Sequence, residues 1–479
     1  MMTRLSRRSG LHLMAAGAMA TATASRTRAQ SNPDVIVVGA GLSGLHAAFL
    51  LEEQGLTVLV LEGKKRVGGR VYSVDTVPGH PEGGANAIAG PYPRLRGLAE
   101  RLGIALEDNI PRQQRNRGRT MILDGKVVSP SAWLDSPRNP FKGDAKATMP
   151  WEYSSKIVSG RNPFTALEDW HSSEFLAHDI SLHDFLMING ATEDIIELAV
   201  NTNFADGNSA HDVSMLAVFA RDFWIKYQQQ FGPVNMIAKG GNQRFPEGVA
   251  KALKSEVRFG MRVEGLRSDA TGVDVHCQDG TVHRARYAVC SVPVTVLQTL
   301  KIDPILRGNQ ARAVKSVNYA RCTQVHLVPT KPFWEDDGLP PSMWTNGPAG
   351  MVSPNRLGPR LEEVTSLTAY ARGVQATYMD SIGAEAAKAA AINAIETARP
   401  AAKGRLKALH MHSWQLDQFA LGADFMIWGP GQVPRFFGDL WQPHGRIHFS
   451  GQHTAAIEFG MEGAMDSGER AALEILNLA

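Results

Sequence analysis

The chain has 479 residues, of which 43% are hydrophobic and 20% charged. That is enough for two or three domains or one large interleaved body, and no block of like charge marks a disordered tail. The formal charge of +3 comes from the first 29 residues: without Arg4, Arg7, Arg8, Arg26 and Arg28, the 50 basic residues fall to 45 against 47 acidic ones, a balance that argues against nucleic acid and other polyanions as partners.

The first element in chain order is an export address. Ser6 to Ala24 reads SRRSGLHLMAAGAMATATA, with paired arginines at Arg7-Arg8, an apolar run from Leu11 to Ala24, and small residues leading to Ala29. Residues 1–29 read as a twin-arginine signal peptide with cleavage after Ala29. A bilayer span needs roughly 20 apolar residues, so no integral membrane segment is expected in the mature chain. The twin-arginine export machinery is then a partner, and the expected location is periplasmic or secreted. The competing reading is a disordered tail in which the arginines adjoin by chance. Cys277, Cys290 and Cys322 are the only cysteines. Their odd number and spacing fit no ligand set, so no metal is expected, and each reads as a small buried hydrophobe.

Asp34 to Glu62 reads DVIVVGAGLSGLHAAFLLEEQGLTVLVLE. Val35–Val38 predicts a buried strand, the glycine turn from Gly39 to Gly44 opens a helix running to about Gln54, and Thr57–Leu61 predicts a second strand. Uninterrupted apolar strands belong to a parallel sheet covered on both faces. Between a strand and a helix, the glycine triplet is a dinucleotide fingerprint. Gly39 makes the tight turn, Gly41 lets the backbone approach a pyrophosphate, and Gly44 permits close helix–strand packing. The helix start faces the phosphates, and the Glu62 carboxylate accepts hydrogen bonds from a ribose.

From about Ile104 to Gly240 the pattern turns helical, with Ile180–Ile188 and Val213–Lys226 the clearest stretches. Trp151, Trp170 and Trp224 fall in this section, as core residues or as pocket walls. Strand patterns return at Val257–Arg267, Val273–His276 and Val282–Ala285, the last two joined by the hairpin signal Asp279-Gly280. Tyr287–Val292 and Thr323–Val328 follow as strands, Gly383–Thr397 as an alanine-rich helix, Arg446–Phe449 as a strand and Gly460–Leu478 as a closing helix.

After Glu62 come GKKRVGGRVYS, with Gly68-Gly69-Arg70, then Gly83-Gly84-Ala85-Asn86. The other end carries GRIHFSGQHTAAIEFGMEGAMDSGERAALEIL. Together these segments resemble the FAD-containing amine oxidase family, which includes monoamine, polyamine and L-amino-acid oxidases. The resemblance implies an α/β fold: a Rossmann-like FAD-binding domain from residues 33–100, 240–300 and 410–479, with an interleaved α+β substrate-binding domain from 104–239 and 301–409. It places Gly69 and Arg70 at the FAD pyrophosphate and Ala85 in the second glycine segment. Lys64 is put near the adenosine, and Val263 at the adenine through its backbone. Gly451, Gly460 and Met461 come to the flavin end, where the start of the closing helix would face charge gained by a reduced flavin.

The same resemblance implies oxidation of a small-molecule amine at its C–N bond to an imine, hydrolysed to an aldehyde or ketone plus amine or ammonia. Oxygen, giving hydrogen peroxide, or a redox protein takes the electrons. The alternatives are an L-amino-acid oxidase and a non-catalytic flavin-binding protein of the cell envelope. The candidate catalytic residues are Gln324, Trp414 and Asp424, and the chain departs from common members at several positions. Gln324 stands where a lysine usually holds a water near the flavin. Trp414 matches a flavin-flanking aromatic, and nine residues on Ala423 replaces the cysteine of covalent members, so non-covalent FAD is expected. Asp424 and Gly460 occupy the two walls of an aromatic cage. Gln452 replaces a usual acid. Arg94, after Gly90-Pro91, is displaced by two from the arginine that binds carboxylate in L-amino-acid oxidases.

Overall fold

Four uninterrupted apolar residues, Val35–Val38, form the middle strand of a five-stranded parallel sheet. In this computed structural model residues 32–423, 426–456 and 459–479 are described. The segment read as an export signal and Asp424 lie outside the described residues. Val35 registers with Tyr287 on one side and with Val58 on the other, and the outer strands are Ile447–Phe449 and Val257–Phe259. Val35–Val38, Val58–Glu62 and Tyr287–Cys290 are buried along their whole length, as a sheet covered on both faces requires.

Two helices close one face. Leu42–Glu53 follows the glycine turn, and the closing helix Gly460–Leu476 lies against it. They cross tightly: a Cβ added at Gly468 would stand 2.4 Å from the Ser43 carbonyl oxygen. Ser43 Oγ and Ser467 Oγ lie 3.3 Å apart at the same crossing.

The pattern at Val257–Arg267 splits into two strands. Val257–Phe259 completes the parallel sheet, and Val263–Ser268 enters a separate four-stranded sheet beside Val273–Cys277. Gly260 turns the chain between them at φ +73, a conformation only glycine takes without cost. The hairpin at Asp279-Gly280 forms as its sequence predicts, Val273–Cys277 pairing antiparallel with Val282–Ala285.

A seven-stranded sheet carries the rest. Its order is Leu406–Ser413, Cys322–Pro329, Ser366–Arg372, Met351–Asn355, Met343–Thr345, Thr120–Leu123 and Lys126–Val128. Residue 410 falls inside Leu406–Ser413. This pairing sets Gln324 between Tyr370 and His412. Residues 33–479 pack as one unit. Among the described residues no helix is long and apolar enough to cross a membrane.

Arg94 is tied into this frame. The helix Pro93–Leu102 has no side-chain cap of its own. Glu462 of the closing helix provides one, accepting from Arg94 N at 2.9 Å and Leu95 N at 3.1 Å. The Arg94 guanidinium then pairs with Glu462, Asp466 and Glu469. Replacing Arg94 with Ala leaves the buried Glu462 carboxylate with backbone N–H partners alone. The expected loss is about 1–3 kcal/mol, seen as a lower urea midpoint; an unchanged midpoint would contradict this role.

Candidate active site

The glycine turn shapes a cleft. Gly39 has φ +101, and a Cβ there would come within 2.9 Å of Ser291 Oγ. Ser291 fills that space by donating to the Val38 and Gly39 carbonyls at 2.8 and 2.9 Å. Gly44 faces the same packing, since its Cβ would lie 2.3 Å from the Gly39 carbonyl oxygen. A Cβ on Gly41 would meet nothing within 4 Å. Gly41 therefore borders open space at the start of a helix, where free N–H groups favour phosphate. The second glycine loop stands against the first: Gly68 N donates to Ala40 O at 2.7 Å, and a Cβ on Gly69 would be 3.4 Å from the Gly41 Cα.

At one end of the cleft the Glu62 carboxylate, 6% exposed, accepts from Ala40 N at 2.7 Å and from Lys64 N at 2.8 Å. Those bonds fix the carboxylate while leaving lone pairs for hydroxyl donors. Met261 N and Gly260 N donate to the Glu62 and Lys64 carbonyls, which brings Val263 to the same end. The Lys64 ammonium pairs with Asp417 and lies 5.9 Å from the Trp414 ring centroid. Burial lowers its pKa, and Asp417 opposes that shift.

Arg70 lines the cleft, but its guanidinium is committed elsewhere. It donates to Ala423 O at 2.7 Å and to the Tyr319 hydroxyl at 3.3 Å, and it stacks over the Tyr319 ring. Ala85 N donates to Arg70 O, and a Cβ on Gly84 would fall 1.9 Å from that oxygen. Trp414, 3% exposed, donates its indole N–H to Gly83 O at 2.8 Å.

Gln324 is 5% exposed, and its Oε1 is buried with no hydrogen-bond partner. A buried acceptor left open costs stability unless a donor arrives, so it is a candidate contact for a ligand N–H or a water. Beside it, burial pushes the Tyr370 phenol up to about 12, so it stays protonated. At the far wall Ser467 Oγ accepts from Gly451 N at 2.9 Å, and the closing helix presents Gly460 and Met461. The acid in its first turn, Glu462, is turned toward Arg94, away from the cleft.

One cavity of about 480 Å³ joins these segments. Every candidate cofactor-binding or catalytic residue read from the sequence lines it except Gly44, which packs behind the turn, and Asp424, outside the described residues; Ala423 and Arg94 do not border it. Sequence reasoning missed Cys322, Tyr370, Arg372 and Phe419, which also line it. Cys322, Tyr370 and Arg372 carry no local motif and reach the cleft through strand pairing, whereas Phe419 reaches it from the turn after Leu406–Ser413. A second pocket of about 60 Å³ is walled partly by Trp170, read from the sequence as a core residue or a pocket wall, and by Trp428. Trp224 is a core residue packed on Tyr227 and Phe459, and Trp151 packs on Trp344.

Residues 42–476 match the family model described as flavin containing amine oxidoreductase. The L-amino-acid oxidase of Bothrops pauloensis is 26% identical over 473 residues, covering 93% of this chain and 90% of that protein. That of Protobothrops flavoviridis is also 26% identical, over 93% and 89%. Among solved structures, cyclohexylamine oxidase from Brevibacterium oxydans aligns with a TM-score of 0.72 at 20% identity, covering 93% of this chain and 99% of that one. Wild-type putrescine oxidase bound to putrescine aligns at 0.70 and 22%, with the same coverage. Both likenesses are of fold, an α/β FAD-binding one. The open backbone at Gly41, the fixed Glu62 carboxylate and the open Gln324 acceptor fit a bound FAD.

Glu62→Gln tests the adenosine end. Hydrogen bonds to a charged acceptor are worth about 1.5–3 kcal/mol, so Kd for FAD should rise about tenfold to a hundredfold. Titration of the apoprotein with FAD measures it, and an unchanged Kd would remove Glu62 from the site.

Proposed function

The chain belongs to the flavin-containing amine oxidoreductases, and on that premise we propose that it oxidises the C–N bond of a small amine through non-covalently held FAD. The enzyme is an FAD-dependent oxidoreductase acting on CH–NH groups. When bound, FAD supplies the acceptor for two electrons and the hydrogen leaving the carbon. The observation that carries the reading is the open, buried Gln324 Oε1 in the cleft that also holds Glu62 and Trp414.

Gln324 is proposed to hold a water or an amine N–H, and Trp414 to flank the reacting end. The substrate must enter as the neutral amine, because its lone pair stabilises the developing iminium. The burial of Gln324 and Trp414 at the proposed reacting end favours that form over the ammonium. Water then hydrolyses the imine. The expected non-covalent attachment rests on Ala423: its methyl group offers no sulfur, and its N–H and carbonyl are held by Ala320 and Arg70.

The L-amino-acid oxidase reading is favoured by the curated relatives, which carry that name at 25–26% identity. It lacks its anchor at Arg94, whose guanidinium serves three acids of the closing helix. Plain amines are therefore the first choice of substrate.

Anaerobic mixing of the yellow holoprotein with a panel of amines and L-amino acids is the test. The account expects at least one amine to bleach the flavin absorbance, and acid precipitation to leave yellow colour in the supernatant. No bleaching by any compound would leave a flavin-binding protein without this turnover, and colour in the pellet would refute the non-covalent reading.

The acceptor is oxygen or a redox protein. Gln324 brings no positive charge to the place where oxygen would gain negative charge. A unit charge about 4 Å away is worth a few kcal/mol at an effective dielectric constant of about 20. Gln324→Lys should thus raise oxygen consumption by about tenfold or more, with bleaching still detectable. An oxygen rate that does not rise would separate Gln324 from acceptor choice.

A further inference from the structure

One residue lines both the second pocket and the main cleft. Among the described lining residues Gln452 alone borders both cavities, and its Oε1 is buried without a hydrogen-bond partner. Trp170 and Trp428 wall the small pocket, their ring centroids 6.0 Å apart at 64°, with Phe459 beside them just before Gly460 of the cleft. Into this aromatic chamber project Asp206 and Arg221, which form an ion pair with side chains 26% and 28% exposed. They are the only charged groups among its described lining residues. His453, which also borders it, is held neutral by burial at about 3.

We propose that the tail of the amine substrate occupies this pocket, and that the Asp206–Arg221 pair selects tails ending in a neutral group that both donates and accepts a hydrogen bond, a hydroxyl or a primary carboxamide. The inference rests on the amine-oxidation reading and names its substrate class. The pair sums to zero charge. A terminal ammonium would be drawn to Asp206 but repelled by Arg221 beside it, and a terminal carboxylate would meet the reverse. Either would also have to shed its water among aromatic walls, a cost that attraction to one member of a self-compensated pair does not cover. A hydroxyl or carboxamide can donate to the aspartate and accept from the arginine while bringing in no net charge. The size sets the tail length. One water takes about 30 Å³ of liquid, so a pocket of about 60 Å³ admits only a few heavy atoms. Gln452 Oε1, at the junction, offers the passing chain or its amine an acceptor.

The test uses the FAD-loaded wild-type protein and primary amines of one short chain length ending in methyl, hydroxyl, carboxamide, ammonium or carboxylate. Anaerobic bleaching gives a second-order rate constant for each. The hydroxyl and carboxamide members should exceed the ammonium and carboxylate members by at least about tenfold, the scale of one hydrogen bond to a charged partner. Asp206→Asn should shift the ranking toward the carboxylate, and Arg221→Gln toward the ammonium, each by about tenfold. Binding of the corresponding alcohol and amide without an amine, read by tryptophan fluorescence of the wild type, should saturate, while the matching alkylammonium and alkylcarboxylate should not. If amines bleach the flavin at rates indifferent to the end group, or faster with a charged one, this inference alone falls. If no amine bleaches it, the amine-oxidation reading falls and takes this one with it. The wild-type series decides the matter even if a variant fails to fold.

Discussion

The cleft depends on backbone that no side chain may cover. Gly39, Gly41 and Gly44 bring a strand, a turn and a helix together at distances where a Cβ would strike a carbonyl or Ser291, except at Gly41, where it would stand in the open cavity. Gly69 then sets a second loop against Gly41, and Gly84 passes so close to the Arg70 carbonyl that only hydrogen fits. Phosphate recognition by helix N–H groups works only at such short range. The remaining walls are positioned from this patch: Glu62 is pinned by Ala40 N–H, and Trp414 reaches back to Gly83.

The nucleotide end was legible because its information is local. Val35–Val38, the glycine turn and Glu62 lie within one short stretch, and each rule for them concerns near neighbours in sequence. The reacting end was legible only in part. Gln324 and Trp414 could be found by resemblance, yet Tyr370 and His412 reach Gln324 through antiparallel pairing across the seven-stranded sheet. No spacing in the chain announces those partners. Val257–Arg267 reads as one strand pattern because Val257, Phe259, Met261 and Val263 alternate with other residues through Gly260, whereas the positive φ of Gly260 redirects the chain between two sheets. Arg70 and Lys64 show the same limit at side-chain scale: their positions were legible, but not their commitments to Ala423, Tyr319 and Asp417. The export reading rests on Arg7-Arg8 and the apolar run after them, outside the described residues.

At the reacting end the family resemblance leads one to expect a lysine at Gln324, an acid at Gln452 and an aromatic wall at Gly460, while Asp424, expected at the other wall, lies outside the described residues. Two amide oxygens, on Gln324 and Gln452, are left buried without partners. The second pocket holds the Asp206–Arg221 ion pair. Recognition by acceptors and a neutralised pair suits an amine that arrives uncharged.

The measurement that bears most directly on this account is a crystal structure of the FAD-loaded protein. The account predicts the adenosine ribose hydroxyls on the Glu62 carboxylate, the pyrophosphate over Gly41 and the start of the Leu42–Glu53 helix, and the isoalloxazine between Trp414 and Gln324, with no bond to Ala423. FAD lying outside this cleft, or bound with Glu62 and Gln324 both untouched, would contradict it.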